Sequence, residues 1–294
     1  MERLLIIDGH SYAYRAFHAI RELHSPTGQP TNAIYGFIKM LAKLRTTVVP
    51  THWIVVWDGG LSAERMAVLP EYKVQRPEMP EDMRPQLDEI ASYLGAAGVA
   101  SFCRDGIEAD DVIACLARRA DQMNWMTVIA SADKDFMQLV SARVGLLNPH
   151  DKTETIWTDE QVRNKAGVEP SQIVDWLSLT GDSVDNIPGV PGVGPKTAAS
   201  LLNQFGSVEN LFGRLEEVKS DRLRAALVSS REAVKRNREL VRLHEVACDF
   251  SPEEMAVRAP EAERLRELYA RWGFRSLLAA LEESVLRERQ TALI

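Results

Sequence analysis

Three short apolar runs in the N-terminal half of the chain each give way to an aspartate. Leu4-Leu5-Ile6-Ile7 ends at Asp8, Trp53-Ile54-Val55-Val56-Trp57 ends at Asp58, and Thr127-Val128-Ile129-Ala130 leads into SADKD, which holds Asp133 and Asp135. Runs this short, rich in Val and Ile and closed by turn residues, predict strands buried on both faces, as in a parallel sheet. Between them the period changes. Ile34, Phe37, Ile38, Leu41 and Leu44 form a helical stripe with Asn32 as N-cap candidate. Pro85 to Leu94 has helical spacing, as does Ile107 to Ala120, where Glu108, Asp110 and Asp111 occupy the first turn and Val112, Ile113 and Leu116 point inward. Val144 to Leu147 predicts one more short strand, and Thr158 with Gln161 a capping box. Residues Gly59 to Pro85 hold Gly59-Gly60, several prolines and no apolar period, a stretch too long for an ordinary connection. From about Glu160 helical patterns follow one another: Ile173 to Leu179, Lys196 to Phe205, Arg222 to Val228, Arg231 to Leu243 and Glu263 to Leu281. The expectation is an α/β first part and a helical second domain or layer.

Nine carboxylates stand where this pattern leaves its core elements: Asp8, Asp58, Glu108, Asp110, Asp111, Asp133, Asp135, Asp182 and Asp185. In an open α/β sheet, ligands collect beyond the carboxyl ends of the strands. Acids converging there repel one another, and their pKa values rise unless something neutralises them. Hard divalent cations with oxygen ligands do so, and Mg²⁺ commonly serves phosphate chemistry. Any one of these acids alone reads equally as a turn residue or as an acid opening a helix. Five acidic segments, two of them the pairs Asp133/Asp135 and Asp182/Asp185, favour a metal-dependent phosphodiester enzyme.

Bulk properties change this picture little. The 294 residues hold one large or two modest domains, with 45% hydrophobic and 26% charged residues, as in ordinary globular chains. No apolar stretch approaches the ~20 residues of a membrane helix. MERLLIID enters a strand directly, so no signal peptide and a cytoplasmic location are expected. Cys103, Cys115 and Cys248 form no CxxC and read as reduced thiols. The net charge of −7 argues against a nucleic-acid partner until the nine candidate acids are set aside. That leaves 33 acids against 35 Lys plus Arg.

The string NIPGVPGVGPKTA, Asn186 to Ala198, offers a second kind of chemistry. Gly192 and Gly194 permit close backbone approach, Pro195 suits a first helical turn, and N–H groups at a helix start bind phosphate. Lys196 adds charge, and Ile187 to Ser200 contains no acid. A helix-hairpin-helix grips a nucleic-acid backbone in this way, without reading sequence. The spacing is not that of a nucleotide P-loop. A plain glycine-rich interhelical turn is the alternative.

Together these stretches resemble the bacterial 5′-nucleases, the flap endonuclease/5′–3′ exonuclease family found at the N-terminus of DNA polymerase I and as free-standing proteins. The matching strings are IIDGHSYAYRAFHA (Ile6 to Ala19), VVWD (Val55 to Asp58), YKVQRPEMPED (Tyr72 to Asp82), GIEADDVI (Gly106 to Ile113), SADKDFMQLV (Ser131 to Val140) and LTGDSVDNIPGVPGVGPKTA (Leu179 to Ala198). They run in family order across most of Arg3 to about Phe274. The resemblance implies a mostly parallel central sheet with helices on both faces, of the PIN-like or resolvase-like type, plus a helix-hairpin-helix region. It implies a nuclease domain over 1–165 with a helical arch at about 59–85, a DNA-binding region over 166–274, and a tail over 275–294. Asp8, Asp58, Glu108, Asp110 and Asp111 correspond to one metal set, and Asp133, Asp135, Asp182 and Asp185 to a second. The implied cofactors are two Mg²⁺ ions, with Mn²⁺ as substitute, and K⁺ at the helix-hairpin-helix. Lys73 and Arg76 match the family's basic residues at the scissile phosphate; Tyr72 is a candidate for stacking on a base. With Gly192, Gly194, Lys196 and Thr197 they make up the implied DNA contacts. Arg65 and Arg84 read equally as members of a solvated helix face. Two positions depart from the family pattern: Glu64 replaces the usual aromatic before Arg65, and Ala67 stands where an acid is frequent.

The implied activity is two-metal hydrolysis of DNA 5′ flaps and 5′ ends, in replication and repair, by a monomer in the cytoplasm at the nucleoid. Only 20 residues follow Phe274, so no polymerase or proofreading module is expected, and a free-standing nuclease and an excised fragment both remain open. A PIN-type ribonuclease and a catalytically silent DNA-junction binder are the rivals. The first usually lacks the GVPGVGPKT segment, and the second would have lost acids that are all present here.

Overall fold

Leu4 to Ile7 are no more than 1% exposed, as expected of a strand covered on both faces. In the computed structural model, which describes residues 1–151, 153, 155–248 and 250–291, they form β1 (Arg3–Asp8). There follow α1 (Gly9–Ala19), α2 (Asn32–Val48), β2 (His52–Val56), α3 (Ala63–Val68), α4 (Arg84–Ala96), β3 (Ala100–Phe102), α5 (Ala109–Gln122) and β4 (Met126–Ala130). A short 3₁₀ turn, Lys134–Leu139, leads to β5 (Val144–Leu147), β6 (Ile156–Trp157), α6 (Asp159–Ala166) and α7 (Ile173–Thr180). The two-residue strands β7 (Gly181–Asp182) and β8 (Ile187–Pro188) precede α8 (Pro195–Phe205), α9 (Val208–Gly213), α10 (Asp221–Ser229) and α11 (Arg231–Val241). The chain closes with α12 (Pro252–Met255), α13 (Ala262–Trp272) and α14 (Arg275–Thr291). Residues 292–294 of the expected tail lie outside the described residues. No helix among the described residues is long and apolar enough to cross a membrane.

Two compact units interleave along the sequence: Met1–Trp57, Met79–Cys103 and Asp249–Ile294 make one, Asp58–Glu78 and Arg104–Cys248 the other. In the first, β1 pairs in parallel with β2, and β2 in parallel with β3. Its helices α1 and α2 cross closely enough that a Cβ on Gly36 would lie 2.8 Å from that of Ala16. The stripe Ile34, Phe37, Ile38, Leu41 and Leu44 is buried as its spacing predicts. In the second unit β4 pairs in parallel with β5, and β6 runs antiparallel to β5.

Two local expectations are corrected. Asn32 does not cap α2; Thr31 holds the N-cap position, and Asn32 is the first helical residue. Its buried amide instead donates to the carbonyls of Phe17 (2.8 Å) and Ile20 (3.0 Å) at the end of α1. The α2 N-terminus is served from a distance by Gln86, whose Oε1 accepts from Ala33 N at 2.8 Å. Such a cap leaves no local sequence signature. The helix expected over Glu263 to Leu281 is two helices, because Gly273 takes φ 75° and ends α13. Helix α1, which has no clear apolar stripe, carried no expectation at all; Asp8 starts it by accepting from Ser11 N at 3.0 Å.

Candidate active site

Eight of the nine candidate acids fall in the second unit; Asp8, at the end of β1, belongs to the first. Each of the eight is placed by a turn or helix start. Asp58 turns the chain by accepting from Gly60 N at 3.0 Å. Glu108 holds the N-cap position of α5, with Asp110 and Asp111 in the first turn. Asp133 caps the 3₁₀ turn by accepting from Asp135 N at 2.8 Å. Asp182 accepts from Val184 N at 2.8 Å and opens the tight β7–β8 hairpin that carries Asp185. Gly181, at φ 72°, is required there: a Cβ would sit 2.3 Å from Gly189 N.

Four cations pair with six of these eight acids. Lys73, only 3% exposed, places Nζ 3.0 Å from Glu108 Oε2, 3.8 Å from Asp110 Oδ2 and 3.9 Å from Asp185 Oδ2, and so lies between the two metal sets expected from sequence. Arg76 pairs with Asp185 at 2.9 Å and reaches to 4.0 Å from Asp58. Lys134, inside the SADKD string, pairs with Asp182 at 3.2 Å. Arg65 donates to Glu108 Oε2 (2.9 Å) and to both oxygens of Asp111 (2.7 and 2.8 Å). Eight carboxylates against these four cations leave a formal balance of −4. Burial alone would lower the Lys73 pKa; Asp110, Asp185 and Glu108 outweigh it and hold the ammonium charged.

Asp135, Asp182 and Asp185 each offer an oxygen within 4.8 Å of the others. Asp135 Oδ1 is buried and accepts no hydrogen bond, a costly arrangement for a carboxylate. Burial, then Asp133, Asp182 and Asp185, raises the Asp135 carboxyl well above the usual range. Burial raises Asp133 as well, against the hydrogen bond it receives from Asp135 N. An orphaned buried oxygen beside two more carboxylates is the donor set a hard divalent cation takes, so these residues fit a metal.

Three site residues differ from expectation. Asp111, expected in a metal set, has both oxygens taken: Oδ1 also accepts from His244 N at 2.8 Å. Arg65, read as a member of a solvated face, is 3% exposed. Tyr72 is equally buried, its hydroxyl donating to Glu108 Oε2 at 3.2 Å, so its ring presents no free surface for a base. The departures at Glu64 and Ala67 fall on exposed positions of α3 and disturb no packing. Arg84 is exposed, as on a solvated face.

Beyond the hairpin, α7 and α8 frame the loop that holds Gly192 and Gly194. Trp176 Nε1 donates to Pro195 O at 3.1 Å, and Val190 N to Leu179 O at 2.9 Å. Gly192 takes φ 81°, and the space where a Cβ would stand on it or on Gly194 is open. Lys196 is exposed and Thr197 partly so, in the first turn of α8. The segment before the first acids of α5 also docks here: Lys73 N donates to Asp185 O at 3.0 Å, Asn186 Nδ2 to Glu71 O at 2.9 Å, and Gln75 Nε2 to Asn186 Oδ1 at 2.9 Å.

Residues 3–167 match the family described as 5′-3′ exonuclease, N-terminal resolvase-like domain, and residues 168–263 match 5′-3′ exonuclease, C-terminal SAM fold. The chain belongs to the 5′-3′ exonuclease family. It is 37% identical over 294 residues to a 5′-3′ exonuclease of Aquifex aeolicus, covering all of both chains. It is also 37% identical over 292 residues to a DNA polymerase I of Bacillus caldotenax, using 98% of this chain but spanning 33% of that protein. Among solved structures it is similar to T5 5′-exonuclease with divalent metal ions (zinc) bound, at TM-score 0.69 and 23% identity, covering 97% of this chain and 99% of that one. It is similar too to the catalytic core of Rad2 in complex with DNA substrate, at TM-score 0.66 and 18% identity, covering 92% and 88%. These likenesses carry the fold, a mostly parallel sheet with helices followed by a helical region. Family membership makes the chain a nuclease.

Proposed function

We propose that this nuclease hydrolyses DNA at 5′ flaps and free 5′ ends, with two divalent ions held by its acids. The observation that carries the reading is the unpartnered, buried Asp135 Oδ1 beside Asp182 and Asp185. Asp133, Asp135, Asp182 and Asp185 would hold one ion; Asp58, Glu108 and Asp110 would serve the other. Mg²⁺ is the expected ion and Mn²⁺ its substitute. Bound divalent ions supply charge neutralisation at the phosphate and a water acidified for attack. The chain's own part is positioning and charge. Lys73 and Arg76 carry the cationic charge next to these acids and are poised to transfer it to a phosphate as its negative charge grows. The exposed start of α8, with Gly192, Gly194, Lys196 and Thr197, holds the backbone of the duplex, and K⁺ would add positive charge at this hairpin. The metal-bound T5 enzyme and the DNA-bound Rad2 core, similar in fold, support both halves of this reading.

The same reading divides the work between a nuclease part over 1–165, its arch at about 59–85, and a DNA-binding part over 166–274. It makes the protein a cytoplasmic, nucleoid-associated monomer serving replication and repair. A 5′-labelled flap duplex beside a blunt duplex, each with Mg²⁺ or EDTA, tests it. The expected result is Mg²⁺-dependent release of the flap, with slower stepwise trimming of the blunt end. Binding without cleavage in Mg²⁺ would leave a silent junction binder, and preferential cleavage of a matched RNA substrate run beside the two duplexes would leave a ribonuclease.

A further inference from the structure

We propose that Arg65 is the positioning residue that seats α3 and the segment leading to Lys73, and that Asp111 serves as its counter-ion and not as a metal ligand. The consequence for cleavage rests on the proposed function; the clamp itself does not. All five N–H donors of the Arg65 guanidinium are used. Nε donates to Leu240 O (3.1 Å), Nη1 to Glu108 Oε2 (2.9 Å) and Asp111 Oδ2 (2.7 Å), and Nη2 to Asp111 Oδ1 (2.8 Å) and Arg242 O (3.0 Å). Leu240 and Arg242 stand at the C-terminal end of α11, where carbonyls lack helical partners and a cation is favoured. Asp111 stands in the first turn of α5, where an anion is favoured. One planar side chain therefore satisfies two helix ends at once.

Beside Arg65, α3 has a hydrogen bond at its N-cap, Ser62 N to Glu108 Oε1 (3.2 Å), and a long pair between the exposed Glu64 and His244 Nδ1 (3.8 Å). Arg65 is its single buried residue, while Met66 and Val68 are 42% and 40% exposed. From Arg65 the chain runs through hydrogen-bonded turns, Leu69 N to Arg65 O (2.8 Å) and Tyr72 N to Leu69 O (2.9 Å), to Lys73, held at φ 56°. A shift at Arg65 is passed to Lys73 through these turns. Glu108 joins the two, accepting from Arg65 and Lys73 on the same oxygen. Asp111 is excluded from this shared position, because Arg65 and His244 N occupy its oxygens.

The full chain with Arg65→Lys, Asp111→Asn and the pair combined tests this. Lysine keeps the charge but lacks the planar fork that reaches two carboxylates and two carbonyls. Three readouts are needed: proteolysis within residues 59–78, Mn²⁺ affinity by titration calorimetry, and single-turnover cleavage of the flap beside equilibrium duplex binding. Both single variants should be cut faster within 59–78 and should cleave about 10–100-fold more slowly, with duplex affinity within about threefold of the parent. The double variant should be no worse than the more severe single, since both remove one clamp. Asp111→Asn should leave Mn²⁺ affinity within about threefold, on the same free-energy scale as an undisturbed site. A loss of Mn²⁺ affinity on Asp111→Asn with residues 59–78 still protected would make Asp111 a ligand and overturn the proposal. Wild-type protection and rate in Arg65→Lys would overturn it as well. If the parent protein itself neither binds Mn²⁺ nor cleaves, the proposed function fails, while proteolysis and the double variant still judge the clamp.

Discussion

Asparagine at position 135 should stabilise the protein without metal and destabilise it, relative to the parent, with metal. The carboxylate that Asp135→Asn removes lies within 4.8 Å of oxygens on Asp182 and Asp185. Two unit charges at that separation repel by about 3.5 kcal/mol at an effective dielectric constant of about 20. Lys134 on Asp182, Arg76 on Asp185 and the raised pKa of Asp135 itself each reduce this. A net gain of about 1–2 kcal/mol in EDTA is the reasonable remainder, since core isosteric changes seldom exceed it. In Mg²⁺ the parent gains RT ln(1 + [Mg²⁺]/Kd), about 2.7 kcal/mol at a hundredfold excess over Kd. For a chain of this size that is a rise in Tm of roughly 4–5 °C. The variant, with one ligand oxygen exchanged for an amide, should lose most of that rise. Calorimetric melts of both proteins in EDTA and across a Mg²⁺ series measure the crossing directly. If Asp135→Asn lowers Tm by the same amount in EDTA and in saturating Mg²⁺, the carboxylate is a structural acceptor and the charge argument is wrong.

The same pair gives a pH dependence. Asp133 and Asp135 have folded pKa values above the ordinary 3.8, so the folded state binds more protons than the unfolded one. Their contribution is therefore complete below that value and is lost as pH rises through the elevated pKa values. In EDTA the Tm should fall over that interval, and Asp135→Asn should flatten the fall; an unchanged slope in the variant would reject the assignment. Lys73→Ala should slow single-turnover cleavage by about 10²–10³-fold while duplex affinity changes little, and equal losses in both would contradict its role at the scissile phosphate. Lys196→Ala should weaken binding to all sequences alike and lower the slope of log K against log salt by about 0.9, whereas a sequence-selective defect would remove the backbone contact.

Strand and helix order was largely legible in the chain. The strands of Leu4, Trp53, Thr127 and Val144 and the helices of Ile107, Ile173 and Lys196 stand within a few residues of where period and punctuation put them. Helix α1 was missed because it lacks a clear apolar stripe, and β3 because it is only 3 residues long. Thr31 and Asn32, Gly273, and the seating of α3 depend on partners far along the chain or on a single backbone angle, neither of which alters local periodicity. Lys134 carried a signal, lying between two candidate acids, whereas Arg65 carried none.

By itself the sequence determined the alternation of elements, the acids at their ends, and the glycine-rich start of α8, because turns, caps and strand termini are local and each residue type there has a local reason. Tertiary structure alone decided how those acids are spent. Ion pairs such as Arg65 with Asp111 or Lys73 with Asp185 join residues 46 and 112 positions apart, and burial sets their strength. Nothing in spacing distinguishes an acid matched by a guanidinium from one, such as Asp135, left with a bare oxygen for a cation.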